Sequence, residues 1–144
     1  MLFPKRYIPN NLTKKDKTKQ LRMLQKSTKL YTQHKYYTRK KVLSFKNKQS
    51  KHILNARHIY KIRTITPSKE LALKTGCSVS ALRHIVKKGE GAYYSSGSRP
   101  NQTPQSWGLA RLASSLTGGK SAKIDFDIIN KGCNHTKKAF ILAT

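Results

Sequence analysis

Two cysteines and the histidines nearest to them are the residues of this sequence best suited to metal or nucleophilic chemistry. Cys77 is followed by His84 and Cys133 by His135, in the patterns Cys-x6-His and Cys-x-His. Neither pattern is a usual ligand spacing of a structural zinc site, and a nucleophilic cysteine needs a base and a third orienting residue. We therefore expect no metal site, and we interpret the cysteines as buried free thiols of a reducing compartment.

A second segment resembles a phosphate-binding loop at first sight. Residues 118–121 read Gly-Gly-Lys-Ser, but the consensus needs a glycine at position 114, where this sequence has Ser114. The consensus loop also follows a strand, whereas this segment follows a predicted helix. We exclude nucleotide hydrolysis on these two grounds.

Two neighbouring carboxylates complete the set of candidate catalytic groups. Asp125 and Asp127 lie in a half of the chain, residues 67–144, that contains 12 Lys and Arg. With no other carboxylate near them in sequence, ion pairing is favoured over metal binding or acid–base chemistry. The sequence therefore predicts no enzyme, no cofactor and no small-molecule substrate.

The charge of the chain is its strongest compositional signal. The 144 residues carry 31 Lys and Arg against 5 Asp and Glu, a formal net charge of +26. This length suits a single domain of modest core. Because such a charge repels itself strongly, we expect an anionic partner: nucleic acid first, then an acidic protein surface or an anionic membrane.

The positive charge is concentrated in the first part of the chain. Residues 1–66 contain 19 Lys and Arg with Asp16 as the one acidic residue, and they contain no glycine. Thr13 and Asp16 resemble a capping box ahead of a helix over about residues 14–30. Ser50 would cap a second helix over residues 51–60, and residues 62–66 alternate as a short strand does. We interpret residues 1–66 as a basic extended and helical arm whose narrow apolar stripe lies against a partner.

Residues 67–144 have the pattern of a compact core domain. Ser68 and Gly76 bound one short helix, and Ser78 and Gly89 bound the next. This spacing predicts a helical hairpin of the helix-turn-helix type. Its second helix would expose a polar face made of Ser78, Ser80, Ala81, Arg83, His84 and Lys87. An ordinary helical hairpin with a glycine turn fits the same pattern.

The rest of the core domain combines a loop with further helix. Residues 89–104 are rich in Gly and Ser and predict a structured loop, and Thr103-Pro104 begins a helix that ends at Gly118. Residues 124–129 fit either a strand or a short helix. The predicted fold class is mainly α: a basic helical N-terminal arm, then a small helical domain with a helical hairpin, a Gly/Ser-rich loop and room for one or two short strands.

Basic residues interleaved with tyrosines are the candidate contacts to nucleic acid or to an acidic partner. Lysine and arginine neutralise phosphates, and tyrosine stacks on bases. Backbone amides near Arg99 could bind a phosphate or a carboxylate, although Arg99 and its serines would equally satisfy loop carbonyls and a helix end. The predicted contact residues are Lys14, Lys15, Arg22, Tyr36, Tyr37, Arg39, Lys40, Lys41, Arg83, Lys87 and Arg99.

Targeting signals give little further guidance. No window approaches 18 consecutive apolar residues, so we expect no transmembrane segment. The N-terminal residues lack the apolar run and the small-residue cleavage site of a secretory signal. We therefore expect a soluble protein made inside a cell.

Several motifs resemble those of a known group of viral proteins. They are GAYYSSGSRPNQT at residues 91–103, SWG at 106–108, ARLASS at 110–115 and TGGK at 117–120, preceded by TGC at 75–77. The chain resembles an uncharacterised family of small basic proteins encoded by giant DNA viruses of algae and protists, with a related shorter core in tailed phages. The resemblance covers about residues 67–133 well, and residues 4–7 and 36–41 more loosely.

What the resemblance implies is a viral origin and association with the virion. The family has no established activity, so no catalytic residues carry over. We expect a structural virion protein, a minor capsid or cement component made in the host cytoplasm, whose basic arms bridge neighbouring capsid proteins and face the genome. The alternative is a viral nucleic-acid-binding protein that packages or organises DNA, and the two roles can coexist.

Overall fold

The described chain is built mainly from helices. The computed structural model describes residues 3–47 and 49–144, and no strand occurs within them. This confirms the mainly α fold class. A 3₁₀ turn spans Lys5–Tyr7, and the helices are α1 Lys14–Thr32, α2 Lys51–Tyr60, α3 Lys69–Thr75, α4 Val79–Ser95, α5 Pro104–Leu116, α6 Lys120–Ile124, α7 Phe126–Gly132 and α8 Lys138–Ala143.

Several helices begin where a capping side chain predicts. The hydroxyl of Ser50 accepts from the Ile53 amide at the start of α2, and that of Ser68 accepts from the Leu71 amide at the start of α3. Each bond satisfies one of the amides that a first turn leaves unpaired. Gly76 then ends α3 at φ 81°, a left-handed conformation that suits glycine.

The short strand predicted over residues 62–66 does not form. This segment has no regular structure, and Ile62 and Ile65 are both buried. Their spacing of three puts both side chains into one core, which the period of two of a strand would prevent. The segment 124–129, predicted as either a strand or a short helix, takes the helical alternative: Ile124 is the last residue of α6, and residues 126–129 belong to α7.

Gly89 does not end the hairpin's second helix, contrary to the prediction. Helix α4 continues to Ser95, so the loop predicted over residues 89–104 begins only after it. A Cβ atom on Gly89 would lie 2.6 Å from the Cα atom of Gly108. The two glycines therefore allow close packing between helices, and Gly89 is needed for that contact rather than for a turn.

Contacts divide the chain into two compact units, each made of two separate segments. The first unit combines the described residues up to 47 with Glu90–Trp107, and the second combines Gln49–Gly89 with Gly108–Thr144. Helices α4 and α5 contribute residues to both. The arm of residues 1–66 and the core of residues 67–144 stay a prediction about domains, and these two units do not follow that boundary.

The first unit has a small core that covers the buried face of α1. Leu12, Met23 and Val42 form its cluster, with Tyr37 and Phe45 packed against it. The same face of α1 buries two polar side chains, Gln20 and Ser27. The apolar stripe of α1, predicted to lie against a partner, is therefore covered by residues of this chain.

The second unit contains the larger core. Helices α3 and α4 contribute Leu71, Leu82 and Ile85, all fully buried, as the hairpin pattern predicts. Helix α5 adds Leu112 and Leu116. Because residues of both hairpin helices belong to this core, the hairpin is packed into the second unit.

Candidate nucleic-acid interface

A cluster of tyrosines lies in the first unit. Tyr31 comes from the last turn of α1, Tyr36 from the segment after it, and Tyr93 and Tyr94 from the end of α4. The rings of Tyr31 and Tyr94 are parallel with centroids 6.4 Å apart, and those of Tyr36 and Tyr94 lie 5.0 Å apart. Tyr93 meets Tyr94 edge-on at 5.2 Å. Such offset and edge-on pairs are the favoured aromatic geometries.

Tyr36 presents this cluster to solvent. Its side chain is 70% exposed, although its ring contacts both Tyr94 and Tyr31. Lys35, its neighbour in sequence, is also exposed. An exposed ring supported from below by other rings, beside cations, is the arrangement on which unpaired bases stack.

Arg39 fixes the segment that carries Tyr36. Its guanidinium donates to the hydroxyls of Ser27 and Ser98, each at 2.8 Å, and to the carbonyl oxygen of Tyr93 at 3.0 Å. Its backbone amide donates to the Tyr93 hydroxyl at 2.8 Å. These bonds join α1, the segment after it and the end of α4, so the tyrosine cluster is held by polar contacts as well as by packing.

Burial governs the ionisation of this pair. Arg39 is 7% exposed and Tyr93 is fully buried. Burial lowers the pKa of Arg39, while the nearby tyrosines oppose that shift. Burial also raises the pKa of Tyr93, and the adjacent guanidinium opposes it. The guanidinium contacts hydroxyls, a carbonyl oxygen and a π face, so its charge is solvated by neutral groups.

The structure removes Arg39 from the predicted contact residues, because a buried guanidinium with these partners cannot reach an external anion. Tyr37 is half-buried, with the Lys26 ammonium 4.4 Å from its ring centroid. The other predicted contact residues are exposed: Lys14, Lys15, Arg22, Tyr36, Lys40, Lys41, Arg83, Lys87 and Arg99.

The predicted helical hairpin forms in the second unit. Arg83 and Lys87 are exposed along α4, and Ser78 is exposed just before it, as a recognition face requires. Ala81, predicted to belong to that face, is instead buried, because Gly132 approaches it. Next to this helix, a cavity of about 330 Å³ opens between the side of α4 that carries His84 and residues of α7. The predicted recognition face is therefore partly covered by α7, and Arg83 and Lys87 are its exposed basic residues.

The paired aspartates have separate environments. Asp125 is buried and accepts two hydrogen bonds from the Arg111 guanidinium, at 3.0 and 2.6 Å, and one from Ser115 at 2.9 Å. Asp127 is exposed. This confirms ion pairing for Asp125, which has no free oxygen for a metal ion. Across residues 3–47 and 49–144, no group of three or more His, Cys, Asp or Glu side chains is placed to hold a metal.

Cys77 and Cys133 form a disulfide bond, so the prediction of free thiols was wrong. Backbone bonds flank it: the Ser78 amide donates to the Gly132 carbonyl at 2.8 Å, and the Asn134 amide to that of Gly76 at 2.7 Å. The separation of 56 residues gave no local signal. The one hint in the sequence was that it contains two cysteines, which allow a single pairing.

Sequence reasoning also missed residues whose roles depend on distant partners. Tyr31 and Tyr94 were not among the predicted contacts, although they support Tyr36. Tyr93 and Tyr94 stood out as an adjacent pair in a segment interpreted as loop. Ser27 looked like an ordinary helix residue, and nothing local indicates that it binds Arg39.

A membrane-spanning helix is not found in the described residues, whose helices are too short or too polar to cross a bilayer. A search of the curated proteins and a search of the solved structures found no match. A scan of protein-family models matched residues 4–132 to a family of unknown function, DUF5824. Since that match covers most of the 144 residues, the chain belongs to the DUF5824 family.

Proposed function

We propose that this protein binds nucleic acid, with unpaired bases stacking on the tyrosine cluster of the first unit. The observation that carries the proposal is Tyr36, 70% exposed and supported by the rings of Tyr31 and Tyr94. An exposed aromatic ring supported by other rings in a strongly basic protein offers a face on which an unpaired base can stack. Exposed tyrosine stacking is tolerant of base identity, so we expect little sequence preference.

The charge supports the same proposal. Of the 31 Lys and Arg, Arg111 is the one that forms an ion pair within the described parts of the chain. The exposed cations therefore keep counterions that a polyanion can release, which gives an affinity that falls steeply with salt. Lys40 and Lys41 lie four and five residues after Tyr36 and are exposed.

The test is fluorescence anisotropy of a labelled single-stranded oligonucleotide over a range of salt concentrations. Tyr36→Ala should weaken binding about fivefold to a hundredfold, the range measured for one lost base–aromatic stack. Tyr36→Trp should retain affinity. Lys40→Gln with Lys41→Gln should reduce the salt slope, because fewer counterions are released.

Leu43→Ala is the matched control, since Leu43 is 96% exposed in the same unit and outside the cluster. Equal affinity of Tyr36→Ala and the unaltered protein would contradict the stacking role. A duplex of the same sequence should bind more weakly, because its bases are already stacked and unavailable to Tyr36.

A second candidate function is that of a structural virion protein, a minor capsid component that contacts neighbouring capsid proteins. The observation in its favour is exposed apolar surface: Leu43 is 96%, Leu73 82% and Ile124 68% exposed. Such side chains suit a protein partner better than a phosphate backbone. In particles of the encoding virus, this role predicts a fixed copy number and retention in DNA-free shells. Loss of the protein together with the genome would refute it.

A further inference from the structure

A cationic cavity of about 370 Å³ lies in the first unit. Its lining is Arg6, Pro9, Asn11, Phe45, Lys46 and Arg99. The three cations come from three separate segments of the chain, and no carboxylate is among the lining residues. The three cationic side chains can act on one ligand only if contacts within the protein hold these three segments in place.

Asn101 holds two of these segments together. It adopts a left-handed backbone conformation, φ 63°, and its side-chain oxygen accepts from the Val42 amide at 2.7 Å. Its side-chain amide donates to the carbonyl oxygen of Val42 at 3.2 Å and to the Asn47 side-chain oxygen at 2.9 Å. One asparagine thus fixes the segment that carries Lys46 beside the segment that carries Arg99.

The remaining sides of the cavity are also fixed. Phe45 packs against the core cluster of the first unit. Tyr7, which follows Arg6, is buried, and its carbonyl oxygen accepts from the Gln20 side chain at 3.2 Å. The backbone positions of the cations therefore do not depend on a ligand, which lowers the entropic cost of binding one.

The charge around the cavity is not neutralised from within. The sequence of the first unit contains two acidic residues, Asp16 and Glu90, and neither lines the cavity; the Asp16 carboxylate accepts from the amide and the hydroxyl of Ser44. Two guanidinium groups and an ammonium group are the usual recognition set for a phosphate group, since guanidinium donates two parallel hydrogen bonds to it.

We propose that this cavity binds a phosphate group, with Arg6, Lys46 and Arg99 as the donors. The site is distinct from the tyrosine cluster and does not require that bases stack on Tyr36. The phosphate can come from a free nucleotide or from a nucleic-acid backbone. A volume of about 370 Å³ exceeds that of a phosphate alone, so a sugar or base has room beside the Phe45 ring.

The test is NMR titration of the full chain with inorganic phosphate and with adenosine monophosphate, following the Arg side-chain Nε–H and Asn101 side-chain amide signals. We expect saturable shifts at Arg6, Arg99 and Asn101. The triple variant R6Q/K46Q/R99Q should bind both probes about tenfold more weakly, as expected for lost charge-assisted hydrogen bonds. All three side chains are exposed, so the fold should persist.

The matched control is R57Q/R63Q/K69Q, which removes two arginines and one lysine from exposed positions of the second unit, outside the cavity and outside the predicted contact residues. Equal loss of binding in the two triple variants would overturn the proposal, because it would assign the affinity to net charge alone. Absence of saturable shifts at Arg6 and Arg99 would overturn it as well.

Two further comparisons identify the source of the phosphate and separate phosphate binding in the cavity from base stacking on Tyr36. Tighter binding of the nucleotide than of inorganic phosphate supports a nucleotide ligand. Equal affinity for the nucleotide and for inorganic phosphate, together with displacement of both by an oligonucleotide, supports a phosphate of the nucleic-acid backbone. Tyr36→Ala should leave phosphate binding unchanged, so failure of base stacking and failure of the cavity are seen independently.

Discussion

The guanidinium carbon of Arg39 lies 3.8 Å from the ring centroid of Tyr93, and the same guanidinium donates to the Tyr93 carbonyl oxygen at 3.0 Å. Two residues 54 positions apart in sequence are thereby joined by a cation–π contact and by two hydrogen bonds, which Arg39 donates from its backbone amide and from its guanidinium. The pair connects the segment after α1 to the end of α4, and both belong to the first unit.

Replacing Arg39 should therefore destabilise the first unit. Arg39→Ala leaves the Tyr93 carbonyl oxygen and two serine hydroxyls without their donor, and we expect the free energy of unfolding to fall by about 3 kcal/mol. Arg39→Lys should lower the free energy of unfolding by less than Arg39→Ala does, because an ammonium keeps the charge but cannot reproduce the planar donor set. Thermal and urea unfolding measure both effects. Arg22→Ala, at an exposed arginine on α1, should change stability by less than about 0.5 kcal/mol, and an equal loss there would contradict the role of Arg39.

Asp16 should make stability depend on pH at the acidic end. Hydrogen bonds from the side chain and the amide of Ser44 lower the pKa of Asp16 below its ordinary value of 3.8. A lowered folded-state pKa contributes stability above the ordinary value, and that contribution is lost as the pH falls through the folded-state pKa. The difference between the protein and Asp16→Asn should thus be largest at neutral pH and shrink below pH 3.8.

Urea unfolding from pH 7 to pH 2 measures this difference. Ser44→Ala should reproduce part of it, since the Ser44 hydroxyl is one of the two donors to the carboxylate. Asp127→Asn controls for the loss of one negative charge at an exposed position. A difference between Asp16→Asn and the unaltered protein that stays constant down to pH 2 would refute the prediction.

The disulfide between Cys77 and Cys133 should stabilise the second unit. Closing a loop of this length restricts the unfolded chain, and by the loop-entropy relation C77S/C133S should lose about 4 kcal/mol. A reductant should lower the stability of the oxidised protein and leave the double variant unchanged. Unfolding curves with and without dithiothreitol make the comparison, and insensitivity of the oxidised protein to reductant would contradict it.

Gly132 should tolerate no larger residue unless Ala81 becomes smaller. A Cβ atom at Gly132 would lie 2.4 Å from the Cβ atom of Ala81. Gly132→Ala should therefore cost about 1–3 kcal/mol by overpacking. Adding Ala81→Gly removes the clash and should restore part of the loss, although glycine within α4 costs about 1 kcal/mol itself.

Gly91→Ala is the matched control for the glycine substitution. Gly91 also lies in a helix, but a Cβ atom there meets nothing within 4 Å. This substitution should stabilise the protein by up to about 1 kcal/mol, because alanine favours helix more than glycine does. Thermal unfolding of Gly132→Ala, of Gly132→Ala with Ala81→Gly, and of Gly91→Ala measures these differences. A Gly132→Ala protein as stable as Gly91→Ala would show that the contact with Ala81 does not restrict the residue at position 132.

Local signals were enough for much of the secondary structure. The helix bounds at Ser50, Ser68 and Gly76 follow from capping side chains and from a glycine, which act over three or four residues. The mainly α fold class follows from the same signals. Gly89 was misread because its reason, the close approach of Gly108, is not local.

The candidate site depends on contacts that no local pattern specifies. Tyr36 was predicted from its basic surroundings; of the two rings that support it, Tyr31 lies five residues earlier, but Tyr94 comes from the distant end of α4. Arg39 looked like its neighbours Lys40 and Lys41, yet it is buried while they are exposed. Only the positions of Ser27, Tyr93 and Ser98 distinguish it, and these are set by tertiary structure.

The division of each unit into two segments has a consequence for how the protein is made. A ribosome that has synthesised the first 66 residues has produced only part of either unit. The first unit lacks Tyr93, Ser98 and Asn101 until Glu90–Trp107 has been translated, and the second lacks Cys133 until nearly the end. The small core of Leu12, Met23 and Val42 can therefore form early, whereas the contacts of Arg39 with Tyr93 and Ser98 and the disulfide of the second unit can form only after those later segments have been translated.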